Sequence, residues 1–212
     1  MKLSGETVIK APRAIVWDAL NDETLLIECI PGCEALERIS DDELAAAITA
    51  KVGPVTAKFK GEVRLENVNP PLSYTLIGQG KGAAGFARGR ADVALHALSD
   101  DQTRLDWSAE ASIGGKLAQM GARLIDSTAK KYAEGFFGSF SALTEDRAAQ
   151  AREAEALEAQ TRAVEDAAQA ETVEDQPSSA KLEPKLRPGL SSWIWVSVLL
   201  LLILAVLYAY GA

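Results

Sequence analysis

Gly80, Gly82 and Gly85, in the stretch IGQGKGAAGFARGR (residues 77–90), reproduce the G-x-G-x-x-G spacing of a dinucleotide-binding turn. That chemistry needs a strand before the glycines and a helix opening on the last of them, so that backbone N–H groups and the helix dipole receive a pyrophosphate. Here FARGRADVAL follows, in which Ala87, Gly89, Ala91, Val93 and Leu95 alternate with Arg88, Arg90, Asp92 and Ala94. Alternation with period two is a strand, so no nucleotide site is expected. A Walker A loop fails too, because Lys81 is followed by Gly82 where Ser or Thr would have to hold the metal.

The remaining chemistry-bearing residues are sparse. The one histidine, His96, has no second histidine to complete a metal set or to pair with a nucleophile. Cys29 and Cys33 sit four apart across Pro-Gly in CIPGC, two thiols where structural zinc takes four ligands. Asp41 with Asp42, and Asp100 with Asp101, stand in hairpin-turn positions, where aspartate bonds its own backbone. No nucleophile, base and orienting group come together, so the expectation is a binding protein with no catalytic residue and no metal.

Charge narrows the partners. The chain of 212 residues carries 22 Lys and Arg against 30 Asp and Glu, a net −8. Residues 1–143 hold 16 against 19, and residues 144–188 hold 6 against 11. Neither part has the basic stripe that follows a phosphate backbone, which argues against nucleic acid.

The segment WIWVSVLLLLILAVLYAY, residues 193–210, has no charge and no proline. Eighteen residues of helix span about 27 Å, close to the hydrocarbon thickness of a bilayer. Trp193 and Trp195 at one end and Tyr208 and Tyr210 at the other suit the two headgroup levels. Its eleven Leu, Ile and Val residues favour insertion, by roughly 3 to 6 kcal/mol. With Lys181, Lys185 and Arg187 just before the span and no signal peptide in MKLSGETVIKAP, the globular part is expected on the cytoplasmic side of the cytoplasmic membrane, on a single-pass C-terminal anchor. The two cysteines would then stay reduced.

These features need elements to position them. Leu3 to Ala11 reads as a strand, Pro12 opens a helix over RAIVWDALND, and ETLLIECI makes a second helical turn before Pro31 and Gly32. From there to about Gly114 the period is two. In VTAKFKGEVRLE, Val55, Ala57, Phe59, Gly61, Val63 and Leu65 share a face, and in RLDWSAEASI, Leu105, Trp107, Ala109, Ala111 and Ile113 do. If Gly78, Gly80 and Gly82 continue the inner face of Leu72, Tyr74 and Leu76, they join Ala87, Gly89, Ala91, Ala109 and Ala111 in a patch without side-chain bulk. From Gly115 onward Leu117, Met120, Gly121, Leu124, Thr128, Tyr132, Phe136, Phe140 and Leu143 recur at three and four residues, the apolar stripe of one long helix. A curved sheet whose inner face is glycine and alanine cannot fill the space under that helix, so an apolar pocket is expected. An acidic, solvated helical extension and a proline-containing linker over 144–190 then lead to the anchor at 191–212.

The order strand, two short helices, six strands and long helix resembles the helix-grip fold of the START-like superfamily. Within it, APRAIVWDALNDETLLIECIPGCE, KVGPVTAKFKGEV, GQGKGAAGFARGRADVAL and GGKLAQMGARLIDSTAKKYAEGFFGSF together resemble the CoxG family, named for carbon monoxide dehydrogenase, over residues 2–143. The resemblance implies an α+β domain at 1–143, with about seven antiparallel strands curved around the C-terminal helix. It further implies an accessory protein that recruits a molybdenum hydroxylase of the carbon monoxide dehydrogenase type to the membrane, with an apolar cavity for a quinone. The expected lining is Phe59, Tyr74, Leu76, Phe86, Trp107, Ala109, Ile113, Leu117, Met120 and Leu124, with Gly78, Gly80, Gly82 and Gly89 supplying volume. Phe86 belongs to it only if the chain bulges near Gly85, because simple alternation turns that ring outward. Tyr74 and Trp107 are the candidates for a polar contact with a quinone carbonyl. Lys81, Arg88 and Arg90 form either a docking patch for an acidic partner or a solvated strand face. A pure membrane anchor without a functional ligand, or a maturation factor, are the alternatives.

Overall fold

A computed structural model describes residues 1–171, with side-chain surroundings for residues 1–163. The chain runs β1 (Lys2–Ile9), α1 (Arg13–Leu20), α2 (Glu23–Cys29), β2 (Cys33–Ser40), β3 (Glu43–Val52), β4 (Val55–Asn69), β5 (Ser73–Gly82), β6 (Gly85–Ser99), β7 (Gln102–Gly114), a 3-10 turn (Gly115–Met120) and α3 (Ala122–Glu171). The seven strands form one antiparallel sheet in the order β1-β7-β6-β5-β4-β3-β2. Strands β2 to β7 are joined in sequence by turns, and β1 closes the sheet by pairing with β7. The fold is the expected α+β arrangement of a seven-stranded antiparallel sheet with a long C-terminal helix.

Local chemistry sets the two short helices. Pro12 stands at the N-cap of α1 with extended backbone (φ −55°, ψ 145°), and its carbonyl accepts from the Val16 N–H at 3.1 Å. Asp22 caps α2, its side chain accepting from the Thr24 and Leu25 N–H groups at 3.0 and 3.2 Å. The helix ends at Ile30, held extended before Pro31, and Gly32 then takes φ 78° to turn the chain into β2. A Cβ at Gly32 would collide with the Thr49 carbonyl, so only glycine makes this turn.

The core lies on one face of the sheet, at the end where α1 and α2 dock. Ile9, Val16, Cys29, Leu105 and Phe140 are essentially inaccessible there. Trp17 meets Tyr74 edge-on at 5.7 Å between centroids, and Trp107 stacks on Phe137 at 5.2 Å. Gly5 pairs with Trp107 in the neighbouring strand, and the indole occupies the space that a Cβ at Gly5 would need.

Three differences from the sequence expectation stand out. The helix expected from Gly115 is interrupted: Gly121 adopts φ 88°, so a 3-10 turn ends there and α3 begins at Ala122, leaving Gly121 exposed. Leu72, expected on the inner face, is 39% exposed in the β4–β5 turn. Beyond residue 143, α3 continues unbroken, and Thr144 and Ala148 are fully buried at 0% exposure, whereas residues 152–163 are exposed. Among the described residues no helix is long and apolar enough to cross a membrane. The span predicted at 193–210, with Trp193, Trp195, Tyr208 and Tyr210, lies outside them.

Candidate functional site

Register turns the alternating strands into rows across the inner face. Tyr74, Val93, Trp107 and Gly5 form a row at the filled end. The next row is Leu65, Leu76, Ala91 and Ala109. Then follow Leu44, Val63, Gly78, Gly89 and Ala111, and after them Ala46, Gly61, Gly80, Ala87 and Ile113. Side-chain volume therefore collapses in the middle of the last two rows. Beside the Ile113 end of the last row, α3 presents Ile125, Thr128, Ala129 and Tyr132 to Ala50, Val52 and Leu117.

Two apolar hollows result. One of about 330 Å³ is lined by Phe59, Val63, Leu76, Gly78, Gly80, Gly89 and neighbours on β3, β5, β6 and β7, with Gln79, Arg88, Arg90 and Glu110 at its border. The other, of about 150 Å³, lies between Ala50, Val52, Ile113 and Leu117 on one side and Ile125, Thr128, Ala129 and Tyr132 on the other. The glycines along these rows are not equivalent. A Cβ at Gly61 would approach the Gln79 carbonyl oxygen to 2.6 Å and one at Gly89 the Glu110 oxygen to 2.8 Å, and at Gly82 it would collide with the Lys58 carbonyl. At Gly78 and Gly80 the nearest atoms would be 3.6 Å away, an ordinary contact. A side chain would fit at these two positions, and its absence leaves space.

The predicted lining divides accordingly. Phe59, Leu76, Gly78, Gly80 and Gly89 border the larger hollow, and Ile113 and Leu117 the smaller. Ala109 shares the inner row with Leu76 and Ala91. Met120 and Leu124 lie over Gly53 in the β3–β4 turn. Tyr74 and Trp107 sit in the aromatic plug, Tyr74 only 6% exposed, and burial pushes its phenol well above the ordinary range. Phe86 is a correction: Gly85, at φ 141°, does not flip the alternation, and the ring lies 45% exposed on the outer face, over Gly114.

The outer face carries a second and larger depression of about 1050 Å³, bordered by Lys60, Glu62, Lys81, Phe86 and Arg88 and floored by Gly61, Gly80 and Gly82. Its size does not make it the site of a lipophilic ligand, because its walls expose charged heads to water, whereas the surface that the inner hollows expose is almost wholly hydrocarbon even where Arg88, Arg90 and Glu110 border it. Of the three basic residues expected as a docking patch, Arg90 is held by Asp92 at 2.8 Å and by Thr75 at 3.3 Å, Arg88 lies 5.8 Å from the Phe86 centroid, and Lys81 is exposed.

Reactive groups stay apart from the hollows. Desolvation, then the Glu28 charge, push the Cys29 thiol up to about 11, and burial raises Cys33 as well, so both remain protonated at neutral pH. His96 Nε2 lies 3.2 Å from Asp106 on the exposed face of β6. Among the described residues no three His, Cys, Asp or Glu side chains are grouped to hold a metal ion. The glycines Gly80, Gly82 and Gly85 close the β5–β6 hairpin, and a strand follows them, so the dinucleotide spacing has no helix behind it.

Some of the lining escaped sequence reading. Ala46 and Ile48 of β3 border the larger hollow, and Ile125, Ala129 and Tyr132 the smaller. The available signal was the alternation of Leu44, Ala46, Ile48, Ala50 and Val52.

Residues 5–143 match the carbon monoxide dehydrogenase G-subunit family, CoxG. The chain belongs to the CoxG family. No protein of curated function matches it in sequence. Among solved structures, this CoxG-family chain is similar to a conserved protein from Geobacillus kaustophilus at 28% identity and a TM-score of 0.66, over 69% of this chain and 96% of the other. It shares its fold with the Zhui aromatase/cyclase from Streptomyces sp. R1128 (10% identity, TM-score 0.56, covering 69% and 94%). The same holds for a START superfamily protein from Mycobacterium smegmatis (10% identity, TM-score 0.53, covering 70% and 97%). These likenesses make the fold START-like.

Proposed function

We propose that this CoxG-family chain is a membrane-tethered accessory protein of a molybdenum hydroxylase of the carbon monoxide dehydrogenase type, and that it holds a quinone along the inner face of the sheet, in the larger hollow and the smaller one under the helix. The family supports the enzyme partner, and the START-like fold supports ligand binding. The observation that carries the ligand is the pair Gly78 and Gly80, positions where a side chain would meet only ordinary contacts and none stands. A bound quinone supplies two-electron acceptor chemistry. The protein's part is to exclude water with Phe59, Val63 and Leu76 and to orient the head group.

Tyr132 suits that last task better than Tyr74. Its hydroxyl oxygen accepts from the Lys51 N–H at 2.9 Å, which fixes the group at the wall of the smaller hollow and leaves its own proton to donate to a carbonyl. Thr128 lines the same wall. Tyr74 is sealed beneath Trp17.

The test is native mass spectrometry of the full chain, purified in detergent from cells with intact membranes, followed by organic extraction. A stoichiometric quinone in the wild type, lost in Gly78→Leu, is the expected result. A wild-type chain that is empty and takes up no added quinone would overturn the carrier reading and leave a docking adaptor.

A further inference from the structure

The segments that meet beyond the hollows carry an excess of cations, whereas at the other end of the molecule the cations are matched or outnumbered by carboxylates. The Leu117 N–H donates to the Ala84 carbonyl at 3.0 Å, Met120 and Leu124 cover Gly53, and Gly115 abuts Gly85. The β3–β4 turn, the β5–β6 hairpin and the 3-10 turn with the head of α3 thus form one end. Residues 51–60, 79–90 and 115–131 contain ten Lys and Arg, all exposed, and one acid, Asp126, with Glu62 and Glu110 the carboxylates at the inward edge of the patch, beside Lys60 and opposite Arg90. Turns at the opposite end carry Asp41, Asp42, Asp100 and Asp101. In a chain of net −8 this is a separation of charge along the molecule. Lys58 is paired with Glu34 at 2.9 Å and Arg90 with Asp92 at 2.8 Å, and among the described residues the other eight have no carboxylate at ion-pair distance.

Phe86 stands among these cations, 45% exposed, with the Arg88 guanidinium above its ring. Lysines and arginines dispersed over three segments around an exposed aromatic match the diffuse negative charge of a headgroup layer with an apolar region beneath it. We propose that this end docks on an anionic lipid surface, Phe86 entering the interface and Lys81, Lys116 and Arg123 lying on the headgroups.

The position gives docking a consequence. Leu117, 7% exposed, closes the smaller hollow from a 3-10 turn bounded by two glycines in the left-handed region, Gly115 (φ 79°) and Gly121 (φ 88°). Rotation about those glycines at the lipid surface would open the hollow toward the acyl layer, so that a lipophilic ligand passes without crossing water. That transfer step rests on the carrier reading, whereas docking rests on charge and position alone.

The experiment places the full chain in nanodiscs of phosphatidylcholine, with and without a third of phosphatidylglycerol, and measures amide hydrogen exchange. Amides of residues 79–90 and 115–121 should exchange more slowly in the anionic discs. The protection should be lost in high salt and in the triple variant Lys81→Glu, Lys116→Glu, Arg123→Glu, while β6 and β7 core amides stay protected. If the triple variant loses its core protection, Phe86→Ala replaces it and should cut the lipid-dependent protection alone. Equal exchange in both lipids, or protection that appears only when the hydroxylase is added, would overturn lipid docking. Quinone content of the same samples separates the two ideas, since loss of docking with quinone retained leaves the carrier reading standing.

Discussion

Glycine has two uses on this sheet, and they predict opposite mutational outcomes. Gly61 and Gly89 are needed because a Cβ would press on a neighbouring backbone oxygen, at 2.6 and 2.8 Å. Alanine at either position should cost about 1 to 3 kcal/mol, read as a lower denaturant midpoint at unchanged slope. Gly78 makes no such demand, and a strand gains from losing a glycine, so Gly78→Leu should melt at or above the wild-type temperature while expelling the ligand. A Gly78→Leu protein that unfolds readily would show that the space is required for folding. Asp22 gives a second residue-level prediction. Its carboxylate is held below the ordinary 3.8, first by the Leu25 N–H and then by Arg147 at 2.9 Å. A depressed folded value means that the stabilisation is present above the unfolded value and disappears as pH falls through the folded one. Asp22→Ala should therefore cost about 1 kcal/mol at neutral pH. Its melting curve should begin to approach the wild type as pH falls below 3.8 and meet it only beneath the lowered folded value.

At the scale of elements, α3 clamps the body beyond the point where its apolar stripe fades. Thr144 and Ala148 are buried, Arg147 reaches Asp22, the Glu145 carboxylate accepts from the Lys10 N–H at 3.0 Å, and Arg152 donates to the Lys10 carbonyl at 3.2 Å. A chain ending at residue 143 should melt lower than one ending at 163, by roughly 5 °C if these contacts together contribute about 2 kcal/mol. Equal melting temperatures would show that they contribute nothing. The sequence showed only part of this. Strands β4 and β7 were legible because large apolar residues alternate with charged ones, and the 3.6 period placed Thr128, Tyr132, Phe136 and Phe140 on one helix face. Strand β3 carried a weaker signal, the alternation of Leu44, Ala46, Ile48, Ala50 and Val52, because Ala45, Ala46 and Ala47 look alike until pairing with Glu62, Gly61 and Lys60 turns Ala46 alone inward. The 3.6 period is also blind to a left-handed Gly121. Likewise, whether a glycine is required or merely leaves room depends on distances between strands, which no single strand encodes. Tyr74 illustrates the same limit: its residue type fitted a quinone contact, but docking of α1 buries it beneath Trp17.

For the whole molecule, the proposed function joins two parts that should fail independently. The two hollows are built from β3 to β7, the 3-10 turn and α3, while the predicted span at 193–210 lies outside the described residues. Binding the ligand needs only the first part, and holding the hydroxylase near lipid needs the second. A tether adds no contact to the ligand, but it raises the concentration of the hollow at the bilayer, so its removal should slow delivery without weakening affinity. Deletion of residues 193–212 should thus release the protein from membranes washed in high salt and abolish hydroxylase recruitment there, yet leave quinone uptake from detergent unchanged. Gly78→Leu should do the reverse, with the enzyme still found on membranes and its electron delivery to quinone lost. The pair is read by membrane fractionation and by quinone reduction in the same preparations. If Gly78→Leu left electron delivery intact, the hollow would not lie on the electron path, and recruitment alone would account for the protein's contribution.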